Sequence, residues 1–174
     1  DIPLLPITAF KVHEVKTGSW NETGVFKSSG TTQTVRSQHF VRDTNLYLNH
    51  VEYIWNSHFG PLEQFCFYSL LPGYVERGDS SLICMVDHFI NKTRQNGSMF
   101  VHGKETDLEH LVKTNTAKGK IPLIFGVSYA LLSFLETNTW NTPDIYIVET
   151  GGMKGLREDM TKEELFVILK KGFV

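Results

Sequence analysis

The sequence predicts an α/β fold: a mostly parallel sheet with helices on both faces. Three observations predict it. Short, strongly apolar runs such as 65–71, 122–125 and 145–148 have the length of strands and little of the in–out alternation of a sheet with one wet face. These runs alternate with longer stretches of helical spacing after residue 20. Glycine, proline and hydroxyl clusters follow the strands, where an open α/β sheet carries its ligand loops.

Each element has its own signal. The first 20 residues, with Pro3 and Pro6, read as extended. Val25 to Ser28 is a short strand that runs into a hydroxyl-rich loop. Asp43 to Ser57 carries Leu46, Tyr47, Val51, Ile54 and Trp55 at helical intervals. Phe65 to Leu71 is a buried strand stopped by Pro72 and Gly73, and Ser80 to Thr93 is a helix opened by capping serines. Ser98 to His102 reads as a short strand, and Asp107 as the cap of a helix running to Thr116. Pro122 to Phe125 is a buried strand, with Ser128 capping a helix to Glu136. Ile145 to Val148 is the next strand, interrupted by Glu149, Thr150, Gly151 and Gly152. Thr161 with Glu164 forms a capping box for the last helix. No repeat or low-complexity tract divides residues 1–174, which read as one domain.

Composition narrows the function classes. A chain of 174 residues has room for one core. A formal net charge of −2 without any Lys/Arg cluster argues against nucleic acid as a partner. The apolar run from Ile121 to Leu135 is broken by Pro122 and Gly126 and is too short to span a bilayer, so no membrane insertion is expected. Cys66 and Cys84 lie inside apolar segments without metal-ligand spacing. Buried free thiols in a reducing, cytoplasmic setting are the expectation.

The most informative segment is Ser28-Ser29-Gly30-Thr31-Thr32, four hydroxyl residues around one glycine. Buried hydroxyls need partners, so the run suits a core poorly. It suits phosphate, because glycine lets the backbone approach an anion, successive N–H groups form a nest and hydroxyls add donors. Arg36 follows at a distance from which a flexible cation meets a polyphosphate. A solvated turn is the competing reading. The segment is not a Walker A motif, and the chain has no G-x-G-x-x-G run.

Glu149-Thr150-Gly151-Gly152-Met153-Lys154-Gly155 is the second unusual loop; its paired glycine admits something flat, or makes a plain turn. Gly126-Val127-Ser128-Tyr129-Ala130 imitates the serine-hydrolase elbow, but every histidine lies at or before His110, so the order Ser, acid, His cannot be completed within the chain. Ser128 is therefore expected as a helix cap. His39, His50 and His58 show no zinc spacing.

The segments LLPITAFK, FKSSGTT, LLPGYVERGDSSL, PLIFGVSYALLSFLE and IVETGGMKGLRE occur in this order along most of the chain. Together they resemble the LuxE-type acyl-protein synthetases of the adenylate-forming acyl ligase superfamily. The resemblance implies a central portion of the large domain of such an enzyme, inactive in isolation. It implies ATP and Mg²⁺ as cofactors and a carboxylic acid, foremost a long-chain fatty acid, as substrate. The family forms an acyl-adenylate and then passes the acyl group to a cysteine of the enzyme, for later use by an acyl reductase. Relatives in the superfamily pass it to coenzyme A.

By the same resemblance Ser28, Ser29, Gly30, Thr31 and Thr32 match the phosphate-binding loop, and Arg36 stands where many relatives carry lysine. Gln33 stands where glycine is usual. Gly151 and Gly152, with Met153, match the loop that lies against adenine. Tyr74, Phe125 and Tyr129 are the candidate acyl pocket. The family's Mg²⁺-holding glutamate, catalytic lysine and acceptor cysteine have no match within these residues, so no catalytic residue is assigned. Two other readings stay open: the same activation ending in acyl-CoA, and a non-catalytic nucleotide-binding domain, which Gln33 keeps in play.

Overall fold

The architecture is that of a computed structural model describing residues 4–29, 35–72, 78–101, 108–138, 140, 145–151 and 160–173. Four strands form a parallel sheet in the order β4-β3-β5-β6: β3 (Phe65–Leu70), β4 (Met99–Phe100), β5 (Ile121–Gly126) and β6 (Tyr146–Glu149). A separate antiparallel hairpin pairs β1 (Gly24–Lys27) with β2 (Gln38–Val41). The α/β class and the parallel sheet are as the sequence predicts.

Both faces of the sheet are covered. Trp55 of α2 (Thr44–Phe59) packs its ring 5.3 Å from Phe65, 5.2 Å from Phe67 and 5.3 Å from Phe89 of α3 (Ser81–Lys92). The alternate residues of β3 face the other way. There Asn115 of α4 (Leu108–Ala117) donates to the Tyr68 hydroxyl at 2.8 Å and to Cys66 Sγ at 3.4 Å. Because β3 is buried along its whole length, its side chains other than Ser69 are apolar or hydrogen-bonded. At the far edge, Phe134 of α5 (Ser128–Thr137) stacks on Phe173 of α6 (Lys162–Phe173), with centroids 5.9 Å apart.

Helix ends follow local chemistry. Asp43 caps α2 by accepting from the Asn45 N–H at 2.9 Å, and Gly60 stops it at φ 93°, where a side chain would be strained. Ser80 caps α3 through the Ile83 N–H. The capping box is formed: Thr161 N–H donates to Glu164 Oε2 at 2.8 Å, and Glu164 N–H to Thr161 Oγ1 at 3.2 Å.

Three expectations need correction or completion. Ser128 does not cap α5. The cap residue is Val127, and the Ser128 hydroxyl is donated to Glu149 instead. The chain between the hydroxyl loop and α2 is a strand, β2, which the sequence reading passed over. A one-turn helix, α1 (Ala9–Val12), lies in the stretch read as extended. Asp107, expected as a cap, lies outside the described residues.

Strand order sets the site. From β3 the chain crosses to β4 on one side, while β5, next to β3 on the other side, leads outward to β6. The carboxyl ends of β3 and β5, with Leu70 opposite Gly126, therefore flank the point where the winding reverses, the usual place for a ligand crevice.

Candidate functional site

Two loop regions carry the candidate residues, and each is tied down by its own contacts. The hydroxyl run belongs to the stretch of sequence that joins β1 to β2. Its neck is closed by Ser28 N–H to Ser37 O at 3.0 Å and by Ser37 N–H to Ser28 Oγ at 3.0 Å. Ser28 is half-buried and Ser29 is exposed; Gly30, Thr31 and Thr32 lie outside the described residues.

Arg36 is anchored at this neck. Its guanidinium forms a two-bond fork with the carboxylate of Asp79, Nη1 to Oδ2 at 2.8 Å and Nη2 to Oδ1 at 3.0 Å. Nε also donates to Ser28 O, and Nη2 to Lys27 O at 3.3 Å. The Lys27 ammonium stands 3.7 Å from Asp79 Oδ2, and the Lys27 N–H donates to Asp79 O at 2.8 Å. The Arg36 hydrogen bond, with the charges of Arg36 and Lys27, holds the Asp79 carboxyl below the ordinary aspartate value. Two cations against one carboxylate leave a net positive charge at the neck, the sign that suits phosphate.

Asp79 precedes the cap residue of α3, so the hairpin is bonded to the connection that enters that helix. Tyr47 adds a second tie. Its ring lies 5.0 Å from Phe26 of β1, and its hydroxyl donates to Ser81 O at 2.9 Å.

The second loop leaves β6 at its carboxyl end. Glu149 is the last residue of that strand, and its Oε1 accepts from the Ser128 hydroxyl and from the Gly151 N–H, the latter at 2.6 Å. Thr150 N–H donates to Gly126 O at 3.1 Å. Gly151 has φ 78°, a conformation that favours glycine. Gly126 is required for space: a Cβ there would lie 2.9 Å from Leu131 Cγ and 3.3 Å from Leu70 Cβ. Gly152 and Met153, which the resemblance matches to the adenine loop, lie outside the described residues.

The acyl-pocket candidates are distributed unevenly. Tyr129 bridges the crevice mouth, its hydroxyl donating to Pro72 O at 2.9 Å. Phe125 is enclosed within the sheet, in register with Ser69 and Val148. Tyr74 lies outside the described residues. A cleft of about 840 Å³ is lined in part by Trp20, Phe40, Leu46 and Tyr47, and neither Phe125 nor Tyr129 is among its described lining residues.

Other candidates sort by access. Ser128 is 3% exposed and its hydroxyl is committed to Glu149, unlike the accessible nucleophile of a hydrolase elbow. Cys66 is fully buried, and burial pushes its thiol pKa up; the same effect acts on the half-buried Cys84. Among the described residues no group of three or more His, Cys, Asp or Glu is placed to hold a metal ion. No helix there is long and apolar enough to cross a membrane.

Sequence reasoning assigned no role to Asp79 or Glu149. The usable signals were an acid one residue before the α3 cap and an acid at the strand end before paired glycines. What the geometry defines is a parallel α/β unit with a hairpin tied to the connection that enters α3 and a glycine loop at the carboxyl edge of its sheet. No protein-family model, curated protein or solved structure matches the chain.

Proposed function

We propose that the protein binds ATP with its hydroxyl loop at the phosphates and, with Mg²⁺, activates a carboxylic acid as an acyl-adenylate. A long-chain fatty acid is the favoured acid and a protein cysteine the favoured acyl acceptor. The observation that carries this reading is the neck of the hairpin. Lys27, Arg36 and Asp79 hold its two legs together with excess positive charge, and the sequence between the legs carries a run of hydroxyls. Positive charge and donors held in place before reaction lower the energy of charge that develops on a phosphoryl group. Support for a second contact comes from the Glu149–Gly151 turn, which places Gly151 at the carboxyl end of β6, next to β5. Cys66 is no acceptor, since no bulky acyl donor reaches a fully buried thiol.

The test is carboxylate-dependent exchange of labelled pyrophosphate into ATP, measured in the natural protein that carries this chain. Exchange with protein-bound acyl label released by hydroxylamine is the expected result. Label in acyl-CoA instead assigns the coenzyme A branch. ATP binding without exchange supports the non-catalytic alternative, which Gln33 favours. Absence of ATP binding overturns the proposal.

A further inference from the structure

At the end of the hairpin where Gly24 pairs with Val41, the cleft of about 840 Å³ lies beside β2 and the first turns of α2. Its volume falls within the range of small-molecule sites, about 300–1,000 Å³. Three of its walls are held by residues that do not line it. The Lys16 ammonium stands 4.9 Å from the Trp20 ring centre and 4.7 Å from that of Phe40, and Trp20 Nε1 donates to Thr17 O at 3.0 Å. Tyr47 is held by its hydroxyl on Ser81 O and by its ring on Phe26. Walls ordered in advance spare a ligand the cost of ordering them. Leu46 completes the lining and is 68% exposed, an apolar side chain left without cover.

Charge gives the cleft a direction. Arg42 is an exposed lining residue, and among the described residues its guanidinium has no hydrogen-bond or ion-pair partner. Its neighbour Asp43, also in the lining, is engaged by the N–H groups of Asn45 and Leu46 at the start of α2. Beside Trp20, Lys16 is paired with both Glu14 and Glu22, which leaves that group one negative charge in excess. A carboxylate is therefore drawn to Arg42 and turned away from the Trp20 end. A guanidinium fork matches a carboxylate in shape as well as in charge.

We propose that this cleft is a binding site for a free amphiphile with one carboxylate head and a flexible hydrocarbon chain. The head lies on Arg42 and the chain along Phe40, Leu46 and Trp20. The strand β2 separates this site from the Gln38 end of the hairpin by about 10 Å, so the acid is held apart from the loop at 28–37. The inference does not rest on ATP binding by that loop.

The probe is dodecanoate brominated at its chain end, titrated below its micelle-forming concentration into the wild-type chain while tryptophan emission is read. Trp55 and Trp140 are buried, so a bromine in the cleft reports through Trp20. The expected result is saturable quenching that is lost in Trp20→Phe. Arg42→Gln should raise the half-saturating concentration about 10-fold, the effect of losing one charged hydrogen-bonding centre, and Leu46→Ser should raise it several-fold. Phe166→Ala, which removes a comparably exposed ring from α6, should bind as wild type. Quenching that does not saturate, that persists in Trp20→Phe or that Arg42→Gln leaves unchanged overturns the inference. Equal quenching by a brominated alkylammonium of the same length overturns it too, and so does an equal loss in Phe166→Ala. Arg42 and Leu46 are exposed, so their variants decide the matter if Trp20→Phe does not fold. Quenching as expected in a chain that binds no ATP upholds this inference and overturns the function proposed above. ATP binding without saturable quenching does the reverse.

Discussion

Replacing Glu149 by alanine removes one carboxylate oxygen that serves two donors, and the two losses differ in kind. The Gly151 N–H is exposed and turns to water, so that bond is worth only about 0.5–1 kcal/mol. The Ser128 hydroxyl is 3% exposed and keeps no partner of equal quality, so its desolvation goes uncompensated at about 1–3 kcal/mol. Together these give about 1.5–4 kcal/mol, and a domain of this length converts that into a fall in Tm of roughly 3–16 °C. Ser128→Ala removes donor and need together and should cost about 1 kcal/mol or less. In the double variant the cost of Glu149→Ala shrinks, giving a coupling of about 1–2 kcal/mol. Chemical denaturation of the four proteins measures these values. A loss under about 1 kcal/mol for Glu149→Ala, or strict additivity in the double variant, refutes the reasoning.

Three further outcomes follow from the same kind of argument. Ser69 is fully buried and its hydroxyl has no hydrogen-bond partner, so Ser69→Ala should be neutral or raise stability by up to about 1 kcal/mol; a clear fall in Tm contradicts this. Burial shields Cys66 completely and raises the pKa of both thiols. A thiol reagent at neutral pH should therefore reach Cys84 slowly and Cys66 only after unfolding, and fast native labelling of Cys66 by mass spectrometry refutes it. Asp79 has its folded pKa lowered, first by the Arg36 hydrogen bond. Its contribution is therefore complete above the ordinary value of 3.8 and is lost as pH falls through the lowered one. Between about pH 4 and pH 2 the unfolding curve of Asp79→Asn should be flatter than that of wild type, and parallel curves contradict the assignment.

The fold was legible wherever burial was two-sided. Phe65 to Leu70 and Ile121 to Gly126 carry apolar residues on both faces, so composition alone marks them as central strands. β2 left no such mark. Gln38, His39, Phe40 and Val41 are none of them buried, and their strand character comes from pairing with β1 across the loop. Ser128 was read as a cap because a hydroxyl at a strand–helix boundary usually caps. A carboxylate 21 residues further on accepts its hydrogen bond instead, a contact that local pattern does not reveal. The candidate loops were legible by residue type, whereas their anchors, Asp79 and Glu149, were not. An acid on a loop reads as solvated until the chain's path brings a guanidinium or a buried hydroxyl to it.

The central claim is that the hydroxyl hairpin and the glycine turn after β6 bind one nucleoside triphosphate between them. The most direct measurement is a Mg·ATP titration followed by amide chemical shifts in the isotope-labelled chain. The account predicts saturable shifts, with one common Kd, at Ser28, Ser29 and their loop neighbours and at Thr150 and Gly151. Shifts at one loop without the other, shifts confined to the cleft beside Trp20 and Phe40, or none at all contradict it.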